Sequence, residues 1–207
     1  MKIVEQSHEI ISLPDNILQD IEMSGRTCYK SEKKITNDSA EKFVSKLIQN
    51  GHHAMLEFGD ITVKFITNRG VTHELVRHRL FSFAQESTRY VRYDNKIEFI
   101  WPVWFKDSEK SNTDQLFITE MDIWCDLMKN ASNTYKKLIQ LNWKPEEARD
   151  VLPNALKTEI VVKGNIREWR HMLKLRTSLK AHPQIRALMQ GLLKDLKEQV
   201  PVLFDDI

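Results

Sequence analysis

Apolar positions recur along this chain at two spacings, and the spacing sorts it into strands and helices. Between residues 58 and 67 the pattern alternates. Ile61, Val63 and Phe65 fall on one side and Thr62 and Lys64 on the other, the period of a half-buried strand. Residues 156–163 form a second such run, centred on Ile160, Val161 and Val162. Shorter strands are predicted over 2–5, 88–93 and 97–101, with Asp94 and Asn95 turning between the last two and Pro102 stopping the chain. Helical spacing follows Pro14, with Ile17, Leu18 and Ile21 on one face. It returns after N-cap residues at 37–39, with Phe43, Val44, Leu47 and Ile48, and ends at Asn50 and Gly51. Asn68, Arg69 and Gly70 turn the chain into a short helix that leads to Arg77.

The longest helix runs from about 115 to 140, its core stripe made of Phe117, Met121, Trp124, Met128, Ala131, Tyr135 and Leu138. Pro145 opens a short helix that Pro153 ends. Gly164 and Asn165 lead into a helix over 166–178 with an apolar face of Trp169, Met172 and Leu173. Its polar remainder is Arg167, Arg170, His171, Lys174 and Arg176. His182 and Pro183 begin a last helix carrying Ile185, Leu188, Met189, Leu192 and Leu196. Residues 30–34 and 106–114 read as charged or polar loops. The mixture predicts an α+β fold, a central and mostly antiparallel sheet flanked by helices with a helical part, in a single domain over 1–207.

Composition narrows the function mainly by exclusion. A net charge of +2 is too small to imply a nucleic-acid partner by itself. Cys28 and Cys125 are the only cysteines, far apart, a usage that fits a reducing cytosol. No apolar run approaches the roughly 18 residues of a membrane span, and the first residues lack the apolar core of a signal peptide. The glycines never cluster, so neither a Rossmann fingerprint nor a phosphate loop is present, and there is no GxSxG elbow. Any nucleotide must be gripped by side chains. His52, His53 and Glu57 lack the further ligands at recognisable spacing that a zinc site would need, so no metal is expected.

One stretch offers that grip. Residues 77–90 read RHRLFSFAQESTRY, with Arg77, Arg79 and Arg89, the titratable His78, and Ser82, Gln85, Glu86 and Ser87. Guanidinium forks recognise phosphate in a bidentate way, and an imidazole can donate, accept or stack. Leu75, Val76, Leu80, Phe81 and Phe83 interleave the charges, so the arginines are expected to be held against a core. Ser87 has no activating base nearby in sequence and is assigned to binding instead of nucleophilic attack.

Arg77-His78-Arg79, then seven residues, then Ser87 resembles the hallmark of the flavin-dependent thymidylate synthases. The resemblance runs from about His52 to Ile185 and includes Glu57, Glu147-Ala148-Arg149 with Leu152-Pro153, and Asn165-x-Arg167 before Leu175-Arg176. It implies conversion of dUMP to dTMP, with methylenetetrahydrofolate as carbon donor, NADPH as reductant and FAD between them. It implies a homotetramer with FAD and dUMP at subunit interfaces. The FAD contacts carried over are His52, Ala54, Arg77, His78, Arg79, Gln85, Asn165, Arg167 and His171. Those for dUMP are Glu74, Arg77, Gln85, Glu86, Ser87, Thr88, Arg89, Arg149 and Arg176, with Arg176 the catalytic group that polarises the uracil ring. The chain departs from many members at Glu74, at Ala84-Gln85-Glu86, and at Lys180 and His182. The expected location is the cytoplasm, or the host cytoplasm if the source is viral.

Two other readings stay open on the residues. A nucleic-acid-binding module would use the basic stretch 163–186, against which Glu146, Glu147 and Asp150 and the near-neutral net charge argue. A catalytically idle homologue would bind flavin or nucleotide without making dTMP.

Overall fold

The computed structural model describes residues 1–93, 97–105 and 119–207. The expected turn at Asp94 and Asn95, the loop over 106–114 and the first residues of the long helix, Phe117 among them, lie outside the described residues. The strands are β1 (Lys2–Val4), β2 (Ser7–Ser12), β3 (Asp60–Asn68), β4 (Ser82–Gln85), β5 (Glu98–Ile100) and β6 (Lys157–Asn165). The helices are α1 (Ile17–Cys28), α2 (Ser39–Gln49), α3 (Arg69–Leu75), α4 (Glu120–Gln140), α5 (Pro145–Ala148), α6 (Ile166–Arg176), α7 (Pro183–Gln199) and α8 (Pro201–Phe204). A four-stranded antiparallel sheet has the order β2-β3-β6-β4. β1 and β5 pair in parallel, Ile3 opposite Phe99.

The long strands form where one side chain in two is apolar. In β3, Ile61, Val63 and Phe65 are wholly buried, as their alternation predicts, and Thr67 continues the same face. In β6 the buried face is Thr158, Ile160, Val162 and Gly164. Gly164 is required by close approach, because a Cβ there would overlap the ring of Phe81. The structure corrects the strand expected over 88–93. Residues 88–90 are a turn in which the Ser87 carbonyl accepts from the N–H groups of Tyr90 (3.3 Å) and Val91 (3.0 Å). Thr88, Tyr90 and Arg92 would fall on one side and Arg89, Val91 and Tyr93 on the other, so neither side offers a continuous apolar face to drive it into a sheet.

The chain divides into two compact units. The first comprises Met1–Ser7, Ile66–Leu75 and Ala84–Ile160. Its core gathers Ile97, Phe99, Met128, Tyr135, Ile139, Ala148 and Leu156, with Trp124 and Leu138 packed against it. Of the predicted stripe of α4, Met128 and Tyr135 therefore serve as core, with Trp124 and Leu138 partly buried against it. The second unit comprises His8–Phe65, Val76–Phe83 and Val161–Ile207. Trp169 of α6 is wholly buried there and donates its indole N–H to the Ile61 carbonyl at 3.1 Å. Each such fully buried large apolar side chain contributes roughly 1.5–3 kcal/mol.

α6 also holds a correction. Arg170, expected on the polar face, is only 3% exposed. Its guanidinium grips both carboxylate oxygens of Asp206, at 2.7 and 2.6 Å, and donates to the Leu203 carbonyl. That bidentate pair holds the Asp206 carboxyl below the usual carboxylate range.

Candidate active site

In the second unit the site is built on the start of α6. Asn165 is its N-cap, and its Oδ1 accepts the Glu168 N–H at 2.9 Å. Helical spacing then places Arg167, His171 and Lys174 along one side. These residues, with Asn165, Glu168 and Arg170, line a cavity of about 610 Å³ that His53, Glu57 and Leu80 complete. His53 and Glu57 come from a 3-10 turn, His53–Phe58. Arg167 donates to Glu57 at 2.6 Å, but both side chains are about half exposed, so the pair stabilises little.

His78 is the buried centre of this unit's chemistry, 7% exposed. Its ring meets Phe81 and His171 edge-on, with centroids 6.4 and 6.2 Å away. Its Nε2 accepts from Arg176 Nε at 3.1 Å, and its Nδ1 lies 3.9 Å from Glu168 Oε1. Burial, then the charge of Arg176 and that of His171, pushes the His78 pKa down to about 4. The ring is therefore neutral near pH 7. His78, Glu168 and His171 each offer a ligand atom, all within 4.8 Å of one another. A guanidinium already bound to His78 opposes a metal cation at the same place, so the cluster reads as an orientation network.

In the first unit, the turn after β4 carries the other polar cluster. Thr88 is buried, and its Oγ1 accepts from Arg149 Nη1 at 3.2 Å. Arg69, Thr88, Arg149, Asp150 and Asn154 line a cavity of about 260 Å³. Arg69 Nη1 is buried with no hydrogen-bond partner among the described residues. Its backbone is held in place, Arg69 N–H donating to the Leu156 carbonyl at 3.2 Å. An orphaned guanidinium N–H beside a second arginine suits an anion with several acceptor oxygens.

The neighbours of that turn are committed inward. Gln85 Nε2 donates to the hydroxyls of Thr72 (2.9 Å) and Thr158 (3.3 Å). Glu86 accepts from the Tyr93 hydroxyl at 2.6 Å; burial and this hydrogen bond push the Tyr93 pKa up. Arg89 is exposed and lies 3.8 Å from Glu146, while Ser87 and Glu74 are half-buried.

The expected FAD residues Arg77, His78, Arg79, Asn165, Arg167 and His171 thus share one unit with Arg176. Asn165, Arg167 and His171 line its cavity, whereas Arg77 and Arg79 are exposed on either side of the buried His78. His52 and Ala54 flank His53, which lines the cavity itself. Glu74, Arg149 and residues 85–89 belong to the other unit. Sequence reasoning missed His53, Glu168 and Lys174 at the first cavity and Arg69 and Asn154 at the second. Glu168 carried a usable signal, an acid three residues after an N-cap. Arg69 carried one too, a lone arginine within a turn that an uncharged residue would make equally well.

Residues 9–202 match the family described as thymidylate synthase complementing protein. The chain is 33% identical over 194 residues to a flavin-dependent thymidylate synthase of Corynebacterium diphtheriae, covering 90% of this chain and 77% of that protein. It is 34% identical over 195 residues to that of Mycobacteroides abscessus, covering 90% and 78%. Among solved structures it resembles a UMP/dUMP methylase, PolB, from Streptomyces cacaoi bound with 5-Br dUMP. The TM-score is 0.79 at 19% identity, covering 99% of this chain and 96% of that one, which speaks for the fold.

Proposed function

Because the chain belongs to the flavin-dependent thymidylate synthase family, we propose that it methylates dUMP to dTMP. The carbon comes from methylenetetrahydrofolate and the reducing equivalents from NADPH. A methylene carbon becomes a methyl group only by gaining two electrons and a proton, so a reductant is obligatory if tetrahydrofolate is released. FAD, when bound, supplies the hydride relay between NADPH and the transferred carbon.

The donors present fit such a cofactor. Arg167, His171 and Lys174 bring cationic or protonatable groups to one cavity wall, and the His53 and His171 rings can face a planar group. Arg77, His78, Arg79 and Asn165 complete the binding set, with His52 and Ala54 beside them and Gln85 as a further contact. dUMP is held by Glu74, Arg77, Gln85, Glu86, Ser87, Thr88, Arg89 and Arg149, and Arg69 joins Arg149 at the phosphate. Arg176 lies against the uracil and stabilises the negative charge that develops as C5 attacks, so no cysteine nucleophile is needed. The observation that carries this reading is the bond from Arg176 to the buried, neutral His78, in the unit whose cavity Asn165, Arg167 and His171 line.

The working enzyme is a homotetramer of one-domain chains, with the 85–89 segment reaching dUMP from a neighbouring subunit. No helix among the described residues is long and apolar enough to cross a membrane. The cytoplasm, or the host cytoplasm for a viral source, is the proposed location. Neither a nucleic-acid-binding module nor an idle homologue is favoured by the family match.

The test is direct. Purified protein should be yellow, and NADPH-reduced enzyme given dUMP and labelled methylenetetrahydrofolate should be reoxidised and yield dTMP carrying the label. Reoxidation with the label remaining in folate would overturn the reading.

A further inference from the structure

Arg176 can polarise a substrate only if its guanidinium is held in one orientation, and a free arginine side chain samples many. Here Arg176 Nε donates to His78 Nε2 at 3.1 Å. That acceptor exists only while the ring is neutral and its single proton sits on the other nitrogen, Nδ1. Nδ1 faces Glu168 Oε1 at 3.9 Å, and both side chains are buried. Glu168 is itself fixed at the start of α6, where Asn165 caps its backbone N–H.

We propose that Glu168 is a positioning residue: its carboxylate holds the His78 proton at Nδ1 and thereby keeps Nε2 open to orient Arg176. Two wrong states compete with this one. With the proton on Nε2, two N–H donors would face each other across 3.1 Å. With both nitrogens protonated, two cations would. The carboxylate disfavours the first by attracting the proton to its own side. Burial and the neighbouring charges of Arg176 and His171 disfavour the second. The arrangement resembles other imidazoles whose tautomer is set by the partner of the far nitrogen.

The inference rests on the reading of Arg176 given above, but its primary test does not need turnover. Nitrogen-15 NMR of histidine-labelled holoenzyme at pH 7 reports which ring nitrogen of His78 carries the proton, with the His171→Gln variant aiding assignment. Wild type should show the Nδ1–H tautomer. Glu168→Ala should shift the population towards Nε2–H, and Glu168→Gln, which keeps the size and one acceptor oxygen, should fall between. In the same variants kcat for dTMP formation should drop roughly 10- to 100-fold. Because Glu168 also lines the flavin cavity, kcat is expressed per bound flavin, which separates loss of cofactor from loss of alignment. A wild-type Nε2–H tautomer, or an unchanged tautomer in both variants, overturns the proposal even if dTMP is made. Absence of dTMP from wild-type enzyme with the tautomer shift intact overturns the role of Arg176 and leaves the histidine–glutamate coupling standing.

Discussion

Arg69 and Arg149 in the first unit share a small cavity with Thr88 and Asp150. Arg149 donates to a threonine hydroxyl, and one Arg69 N–H donor has no partner among the described residues. In the second unit Arg170 is held by both oxygens of a carboxylate and by a backbone carbonyl, and Arg176 by an imidazole nitrogen. All four lie in a basic segment or at the end of a predicted element, and composition alone could not rank them. Their partners can. A guanidinium whose fork is filled by a carboxylate is part of the scaffold. One that keeps an unpartnered N–H suits an incoming anion, and one whose Nε rests on a neutral ring is oriented by that ring.

The sharpest way to break that distinction is Arg176→Ala. It should lower kcat for dTMP formation by about 100- to 1000-fold while flavin content is retained. Turnover near wild type would place Arg176 with the scaffold. Asp206→Ala tests the opposite end. It leaves Arg170 buried without its carboxylate and should cost about 3 kcal/mol in urea denaturation. A loss below about 1 kcal/mol would mean the pair behaves as a surface contact.

Arg69→Met probes the arginine that awaits a partner. Affinity for dUMP, read by calorimetry, should weaken about tenfold with the melting temperature little changed, since one charge-assisted hydrogen bond is removed. A large fall in stability with unchanged affinity would make Arg69 structural.

The smallest effect concerns acidity. His78 has a folded pKa of about 4 against an ordinary value near 6.5. As pH falls through 6.5 the unfolded chain takes up a proton that the folded protein refuses, so stability declines between pH 6.5 and about 4. The slope from this group is at most about 1.4 kcal/mol per pH unit. Equilibrium unfolding of His78→Gln across that range should show a shallower decline than wild type, and parallel curves would rule the group out.

Much of this was legible in the chain. β3 and the stripe of α4 could be read because an apolar face is buried on a fixed period. The RHR segment could be read because its residue types are rarely needed together. What stayed hidden was polar burial. Arg170 is buried by an aspartate 36 residues away, Glu168 by a histidine from a distant segment, and Thr88 by one hydrogen bond to Arg149. No periodicity marks such positions, since the partner that makes burial tolerable is remote in sequence. β4 was missed for a related reason, because its Ser82–Gln85 residues alternate without a clear apolar face.

Gly164 has a wider reach than its lack of a side chain suggests. Phe81 occupies the space a methyl group would take there, and that ring stacks edge-on with Trp169 and sits beside His78. Adding one carbon at position 164 would therefore travel through a phenyl ring to the imidazole that steadies Arg176. A change as mild as glycine to alanine on a strand could silence chemistry it never touches, which makes this strand position a hidden vulnerability for mutation and a site that redesign should leave alone.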